Sequence, residues 1–298
     1  VQASVESVSA DGGTVVVRFR NSGTGNLFNL TVDSLRARTL LASQERENRV
    51  LADRLQAEIR SAADYVTSTL PADLHGPVRV SSRYLPSLDL GGDGFHYRWL
   101  DDDHLQVYLF DVSGHGIRPA FLSTSVHNFI RSGTLPAATL LHPDRVLDKL
   151  NSLFPMEEQG GDYFTIWYGV YQPSTRTLRY ASAGHPPALA LNRDGNAVNS
   201  SGLSPPANPT GTFADTDYRC SAYPVPSGGQ LLLYSDGAFE LPIEKQAEPL
   251  DLDDFVALCT EVAARPDWSL DELVDRLRAL TPSGNFDDDC ALVLLTFP

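Results

Sequence analysis

Seven short runs of strand length punctuate the chain between Val78 and its end: Val78–Leu85, Leu105–Asp111, Phe164–Tyr171, Leu178–Ala183, Ala188–Leu191, Leu231–Ser235 and Ala291–Phe297. Several are apolar throughout, which marks them as strands of a covered sheet. Four stretches with helical spacing separate them: Ile117–Ser132, Asp144–Leu153, Leu252–Ala264 and Ser269–Leu280. Neighbouring strands lie at hairpin spacing and not in repeated strand–helix–strand units. This pattern predicts an α+β layered domain and disfavours a doubly wound parallel sheet. Asn192–Gly229, rich in Ser, Pro and Gly, reads as one long irregular segment. The chain has no internal repeat.

The first 70 residues read differently. Residues 1–32 hold strand signals around the turns Asp11-Gly12-Gly13 and Asn21-Ser22-Gly23. This piece is too short for a domain and is expected to be the remnant of one lying upstream, in a chain that begins at Val1. Residues 33–70 contain neither Gly nor Pro and read as one helix, ended by Pro71. Leu51, Leu55, Ile59, Ala62 and Val66 share one face. Leu41, Asn48, Leu55 and Ala62 also fit one seam of a heptad, with Asn48 as a polar register-setter and Gln44 and Glu58 spoiling the other seam. A short coiled coil and a helix packed on its own domain both satisfy this pattern. Residues 71–298 are left as the main domain.

The 298 residues carry 38 Asp and Glu against 23 Lys and Arg, a net charge of −15. That sign disfavours nucleic acid and anionic membranes as partners. No run approaches the length of a membrane span, so no membrane contact is expected within this chain. Cys220, Cys259 and Cys290 lie far apart without metal-knuckle spacing, which fits a reduced, cytoplasmic setting.

Four acidic segments fall at strand ends beside glycine: Gly91-Gly92-Asp93, Asp111-Val112-Ser113-Gly114-His115-Gly116, Tyr234-Ser235-Asp236-Gly237 and Phe286-Asp287-Asp288-Asp289. Any one alone is a turn signal. If the strands share a sandwich, their ends bring several carboxylates together, and such a cluster repels itself unless a divalent cation holds it. All-oxygen donors suit Mg²⁺ or Mn²⁺, and two such ions can activate water for attack on a phosphoryl group.

In order along the chain, these segments resemble the motifs of PPM-type (protein phosphatase 2C-like) serine/threonine phosphatases of the bacterial SpoIIE/RsbU-like branch. Tyr163-Phe164-Thr165, Tyr180–Pro187, Pro209-Thr210-Gly211, Leu231–Gly237 with Glu240, and Leu70-Pro71 at the helix end extend the match over about residues 45–298. The resemblance implies a four-layer α-β-β-α sandwich of two antiparallel sheets flanked by helices, with a two-ion Mn²⁺ or Mg²⁺ centre at one end. It assigns Asp93, Asp111 and the Val112 carbonyl as metal ligands, and Asp236 with Asp288 at the other ion; spacing to the last strand selects Asp288 over Asp287 and Asp289. The implied reaction is hydrolysis of phosphoserine or phosphothreonine on a protein by a metal-bridging water. The implied substrate is a phosphorylated anti-sigma-factor antagonist in a partner-switching pathway. The helix before the domain would relay a signal by forming a homodimer or by reorienting.

His115, inside the glycine loop, has two readings: a group that orients substrate or protonates the leaving oxygen, and a hydrogen bond that pins the loop. His185 is expected to fix a turn between sheets, Asp101-Asp102-Asp103 to be a solvated hairpin turn, and Val126, Phe129 and Ile130 to be helical core. The chain departs from the family pattern at Gly94, at His96 where an acid is common, at Pro119 and at Gln230. Two other classes stand beside the phosphatase. A catalytically silent adaptor of the same fold is disfavoured by retention of the four Asp residues. A nucleotide-binding kinase or ATPase is disfavoured by wrong glycine spacing.

Overall fold

Three apolar clusters, stacked in layers, organise the domain. The computed structural model describes residues 3–11, 14–87, 91–114, 116–194, 197–242, 250–265, 267–282, 284 and 286–298. Strands β1 (Ala3–Asp11), β2 (Thr14–Asn21) and β3 (Leu27–Asp33) form a small antiparallel sheet, and α1 (Ser34–Ser68) follows it. The chain separates into two units, one up to Arg60 and one from Ser61 onward. In the first, Leu41, Leu51 and Leu55 of α1 are exposed.

The second unit contains β4 (Arg79–Leu85), β5 (Gly94–Asp101), β6 (His104–Val112), α2 (Ile117–Arg131), α3 (Ala137–Leu140), α4 (Pro143–Leu153), β7 (Phe164–Gln172), β8 (Thr177–Ala183), β9 (Ala188–Asp194), β10 (Ala197–Leu203), β11 (Ser221–Pro224), β12 (Gln230–Tyr234), α5 (Leu252–Ala263), α6 (Leu270–Leu280) and β13 (Cys290–Thr296). They build two five-stranded sheets, ordered β10-β9-β12-β13-β4 and β11-β8-β7-β6-β5, and every pairing between named strands is antiparallel.

Between the sheets lie Val80, Leu105, Val107, Leu109, Trp167, Leu231, Leu233, Val293 and Leu295. The opposite faces of the same strands are apolar as well. Leu232, Leu292 and Leu294 face α5 and α6, while Tyr108, Phe110, Ile166 and Tyr168 face α2, α3 and α4. Strands that bury both faces explain the continuous apolar runs, and the result is the expected four-layer α-β-β-α sandwich. Among the described residues no helix is long and apolar enough to cross a membrane.

The helices are set by local chemistry. Asp251 and Ser269 cap α5 and α6, accepting from the amides of Asp254 and Glu272. Arg193 closes the other end of α5 by donating to the carbonyls of Ala263, Ala264 and Arg265. Gln230, one of the departures, accepts from the Trp268 indole at 3.0 Å and so joins β12 to the α5–α6 connection.

Residues 192–229 are not one irregular segment, because β10 and β11 lie within them. Both are edge strands. Asn199, Ser200 and Ser201 of β10 are exposed, so no apolar alternation announces it. The sequence also passes over β5, another edge strand, whose His96 and Arg98 break the apolar run. Arg98 is satisfied there by Gln106 at 2.9 Å. Asp101–Asp103 form a turn, as expected, yet Asp103 is more than solvated: it accepts from Gln172 and from the Ser174 amide, tying this turn to the β7–β8 connection.

Buried Tyr168 accepts from Gln106 at 2.6 Å and donates to the Leu140 carbonyl at 2.9 Å, linking the sheet to α3. Tyr168→Phe strands both partners, and the expected cost is about 1–3 kcal/mol. Urea denaturation checks this, and an unchanged midpoint would show that the bridge contributes nothing.

Candidate active site

The acidic strand ends converge from both sheets. Asp93 immediately precedes β5 and Asp111 lies near the end of β6, while Asp236 follows β12 and Asp288 and Asp289 precede β13. Because the two sheets face each other, one end of the sandwich collects carboxyl groups from four separate segments.

Asp93 is 2% exposed and its Oδ2 has no hydrogen-bond partner. Burial, and then the neighbouring Asp111, push its carboxyl well above the usual range. Asp111 is pushed up likewise, by burial first and then by the charges of Asp236 and Asp288. Asp236 rises to about 6, through burial, Asp288 and Glu240. No basic side chain contributes to any of these three shifts. His115 lies outside the described residues.

Asp288 and Asp289 have different surroundings. Asp289 is 3% exposed and accepts from the Ser87 amide at 2.7 Å and the Tyr84 hydroxyl at 3.0 Å. It therefore anchors the chain that leads from β4 toward Asp93. Asp288 is exposed, accepts only from the Asp289 amide at 2.7 Å, and bears on Asp111 and Asp236 through its charge. Spacing to the last strand selects Asp288 as the expected ligand, whereas Tyr84 and Ser87, the partners of Asp289, carry no signature of their own.

The glycines beside the acids are required by close approach. A Cβ on Gly91 would fall 1.1 Å from Asp289 Oδ2, one on Gly92 would fall 2.7 Å from the Val112 carbonyl oxygen, and one on Gly237 would fall 2.1 Å from the Asp289 carbonyl oxygen. Ser235, fully buried, completes the seam between β12 and β13: its hydroxyl accepts from the Ala291 amide at 2.9 Å and donates to the Asp289 carbonyl at 3.3 Å. Its place in the Tyr-Ser-Asp-Gly motif was the available signal.

The other singled-out residues are also placed. His185 pairs with Thr165 of β7 at 2.8 Å and lies against the Tyr234 backbone of the opposite sheet, and burial lowers it to about 3. Gly94 leaves room for Phe110, whose ring a Cβ there would meet at 2.3 Å. His96, in place of an acid, is buried against Tyr108 and His127, and burial lowers it to about 3. Val126 and Ile130 are fully buried, with Phe129 packed beside them.

No three Asp, Glu, His or Cys side chains among the described residues close on one point as a ready-made ligand set. The donor set nevertheless fits hard divalent cations: it is all oxygen and mutually repelling, and among the described residues it has no basic partner and includes one buried carboxylate oxygen without a hydrogen bond.

The family model described as "Stage II sporulation protein E (SpoIIE)" matches residues 101–298. The chain is 32% identical over 167 residues to the phosphoserine phosphatase RsbP of Bacillus subtilis, covering 55% of this chain and 40% of that relative, so it spans under half the relative's length. The solved RsbU and RsbW domains of a Mycobacterium tuberculosis protein superpose with a TM-score of 0.60 at 23% identity, covering 76% of this chain and 61% of that one. A structure of RsbX in complex with magnesium gives a TM-score of 0.54 at 15% identity, covering 76% of this chain and 99% of that one.

Two outcomes follow from the environments of the acids. Asp289→Ala leaves the Ser87 amide and the Tyr84 hydroxyl without their acceptor and is expected to cost about 1–3 kcal/mol. Asp288→Ala in metal-free buffer is expected to be neutral or stabilising, since it removes a like charge; unfolding in EDTA measures both, and equal losses would overturn the distinction. A carboxyl raised in the folded state makes that state bind more protons than the unfolded chain, so stability falls as pH rises. With Asp236 near 6 against an ordinary 3.8, the metal-free protein gains stability as pH falls through about 6 toward about 4, and Asp236→Asn reduces the gain.

Proposed function

The chain belongs to the stage II sporulation protein E (SpoIIE) family, and from that premise we propose that it is a metal-dependent phosphatase acting on phosphoserine or phosphothreonine of a protein. The carboxyl cluster carries this reading. Asp93, Asp111 and Asp236 are brought together from both sheets, and among the described residues no basic group lowers their pKa and one buried oxygen has no partner. Such a cluster is costly unless a cation holds it.

In this reading Asp93, Asp111 and the Val112 carbonyl hold one part of a two-ion Mn²⁺ or Mg²⁺ centre, and Asp236 with Asp288 hold the other. Bound there, the cations supply an acidified water as nucleophile and offset charge on the phosphoryl oxygens. The remaining residues position. Asp289, Tyr84 and Ser87 fix the approach to Asp93, while Ser235 holds the strand ends in register. His115, by its place in the motif, would orient substrate or give a proton to the leaving serine oxygen.

The name of the relative RsbP supports a phosphoserine substrate, and an anti-sigma-factor antagonist in a partner-switching pathway is the proposed one. Cytoplasmic location follows from that partner. The proposed organisation is a remnant at 1–32, a linker helix at 33–70 and a phosphatase domain at 71–298. Exposed Leu41, Leu51 and Leu55 on α1 support a homodimer through that helix.

Hydrolysis of p-nitrophenyl phosphate tests the reading. Activity is expected with Mn²⁺, abolished by EDTA, and reduced more than about 100-fold in Asp111→Asn, since changing groups that only orient a metal ligand already costs about 10–100-fold. Turnover that survives both EDTA and the substitution would refute the metal-dependent mechanism, and metal binding without turnover would assign a silent adaptor.

A further inference from the structure

Helix α2 has two faces of unequal fate. Leu122, Val126 and Ile130 are buried against the sheet, but Ile117 and Phe121, one turn apart, are 54% and 69% exposed. Beside Phe121 runs a groove of about 370 Å³. One wall is α2, with Arg118, Phe121 and Ser125, and the other is the segment from Glu158 to Asp162. Arg118 ties the walls together, donating to the carbonyls of Gln159 and Gly160, each at 2.9 Å, and pairing with Asp162 at 3.2 Å.

The groove adjoins the carboxyl cluster. The Ser113 amide donates to the Tyr163 carbonyl at 2.9 Å, and the Tyr163 amide donates to Ser113 Oγ at 3.0 Å. Ser113 directly follows Val112, so the second wall is fastened to the loop that carries Asp111. We propose that this groove is the docking surface for a folded phosphoserine protein, which places an apolar side chain against Phe121 and Ile117 and a Lys or Arg against Glu158. The inference rests on the phosphatase reading and names the surface through which that site takes its substrate.

Charge favours this occupant. A chain of net charge −15 repels a phosphorylated partner at long range. Holding it therefore needs short-range apolar contact next to the site. Arg118 is committed to Asp162 and two carbonyls, while Glu158 has no ion pair among the described residues. The groove thus offers an apolar ring and an unmatched negative charge, complementary to a basic, apolar segment. A second copy of this acidic chain lacks that complementarity, and seated here it would cover the cluster.

Two measurements on the whole chain decide the matter. The first is calorimetric binding, in EDTA to prevent turnover, of a serine-phosphorylated anti-sigma-factor antagonist from the same genome. The second is hydrolysis of p-nitrophenyl phosphate with Mn²⁺. Phe121→Asp and Glu158→Lys are each expected to weaken binding by about tenfold or more, while hydrolysis of the small substrate stays within about twofold of the wild type. Unchanged binding, or no binding by the wild type, overturns the proposal. So does a parallel loss of small-substrate turnover, which would assign Phe121 a structural role. Absence of wild-type turnover would instead count against the phosphatase reading, with the binding comparison still judging the groove.

Discussion

Like charges brought close together are the constraint that the domain is built around. Asp93 and Asp111 come from one sheet, and Asp236 and Asp288 from the other. Asp93, Asp111 and Asp236 are all raised, by burial first and then by acidic neighbours, so the free cluster pulls against the fold. The opposing force is the apolar layer between the sheets, where Leu105, Leu109, Trp167, Leu233 and Val293 are almost wholly inaccessible to solvent. Burial on both faces fixes the strands, and the strands in turn fix where their terminal acids lie. A rigid scaffold is needed because a softer one would let the carboxyls drift apart and relieve their repulsion.

Close backbone approach does the finer positioning. Gly91, Gly92 and Gly237 bring chain segments to distances that no side chain tolerates, against Asp289 and the Val112 carbonyl. Asp289 spends its charge inside the protein, on Tyr84 and the Ser87 amide, leaving Asp288 as the exposed acid of the pair. Adjacent, identical residues thus divide into one that builds the site and one that faces it.

The layers were legible because strands apolar on both faces leave continuous runs, as in Leu231–Leu233 and Ala291–Leu295, whatever the tertiary detail. Edge strands were not. Asn199, Ser200 and Ser201 of β10 face water, and His96 and Arg98 of β5 are accommodated by Tyr108, His127, Gln106 and the carbonyls of Ile130 and Arg131 on other elements. The acids of the site were legible as motifs, each an Asp beside glycine at a strand end. Two of their supports, Tyr84 and Ser87, act through contacts that join distant segments and have no spacing of their own to read. The departures from the family pattern also became intelligible only in three dimensions: Gly94 yields its volume to Phe110, and Gln230 receives Trp268.

One element reaches three of these features at once. Helix α2 starts where the Asp111 loop ends, after Gly114 and Gly116 turn the chain with positive φ. Its buried side carries His127; exposed Arg131, one turn on, donates to His127 at 3.0 Å and to the Thr69 carbonyl, just past the end of α1, at 3.2 Å. Its outer side presents Ile117 and Phe121. A close-packed helix does not deform piecemeal, so a shift of the chain at Thr69 bears on the same rigid body that positions the loop and forms the groove wall. Burial holds His96 and His127 neutral, at about 3 and about 4, which keeps this inner contact insensitive to pH near neutrality. The chain at Thr69, the loop that carries Asp111 and the wall of the outer groove therefore meet on one helix, joined by packing and by hydrogen bonds that do not titrate near neutrality.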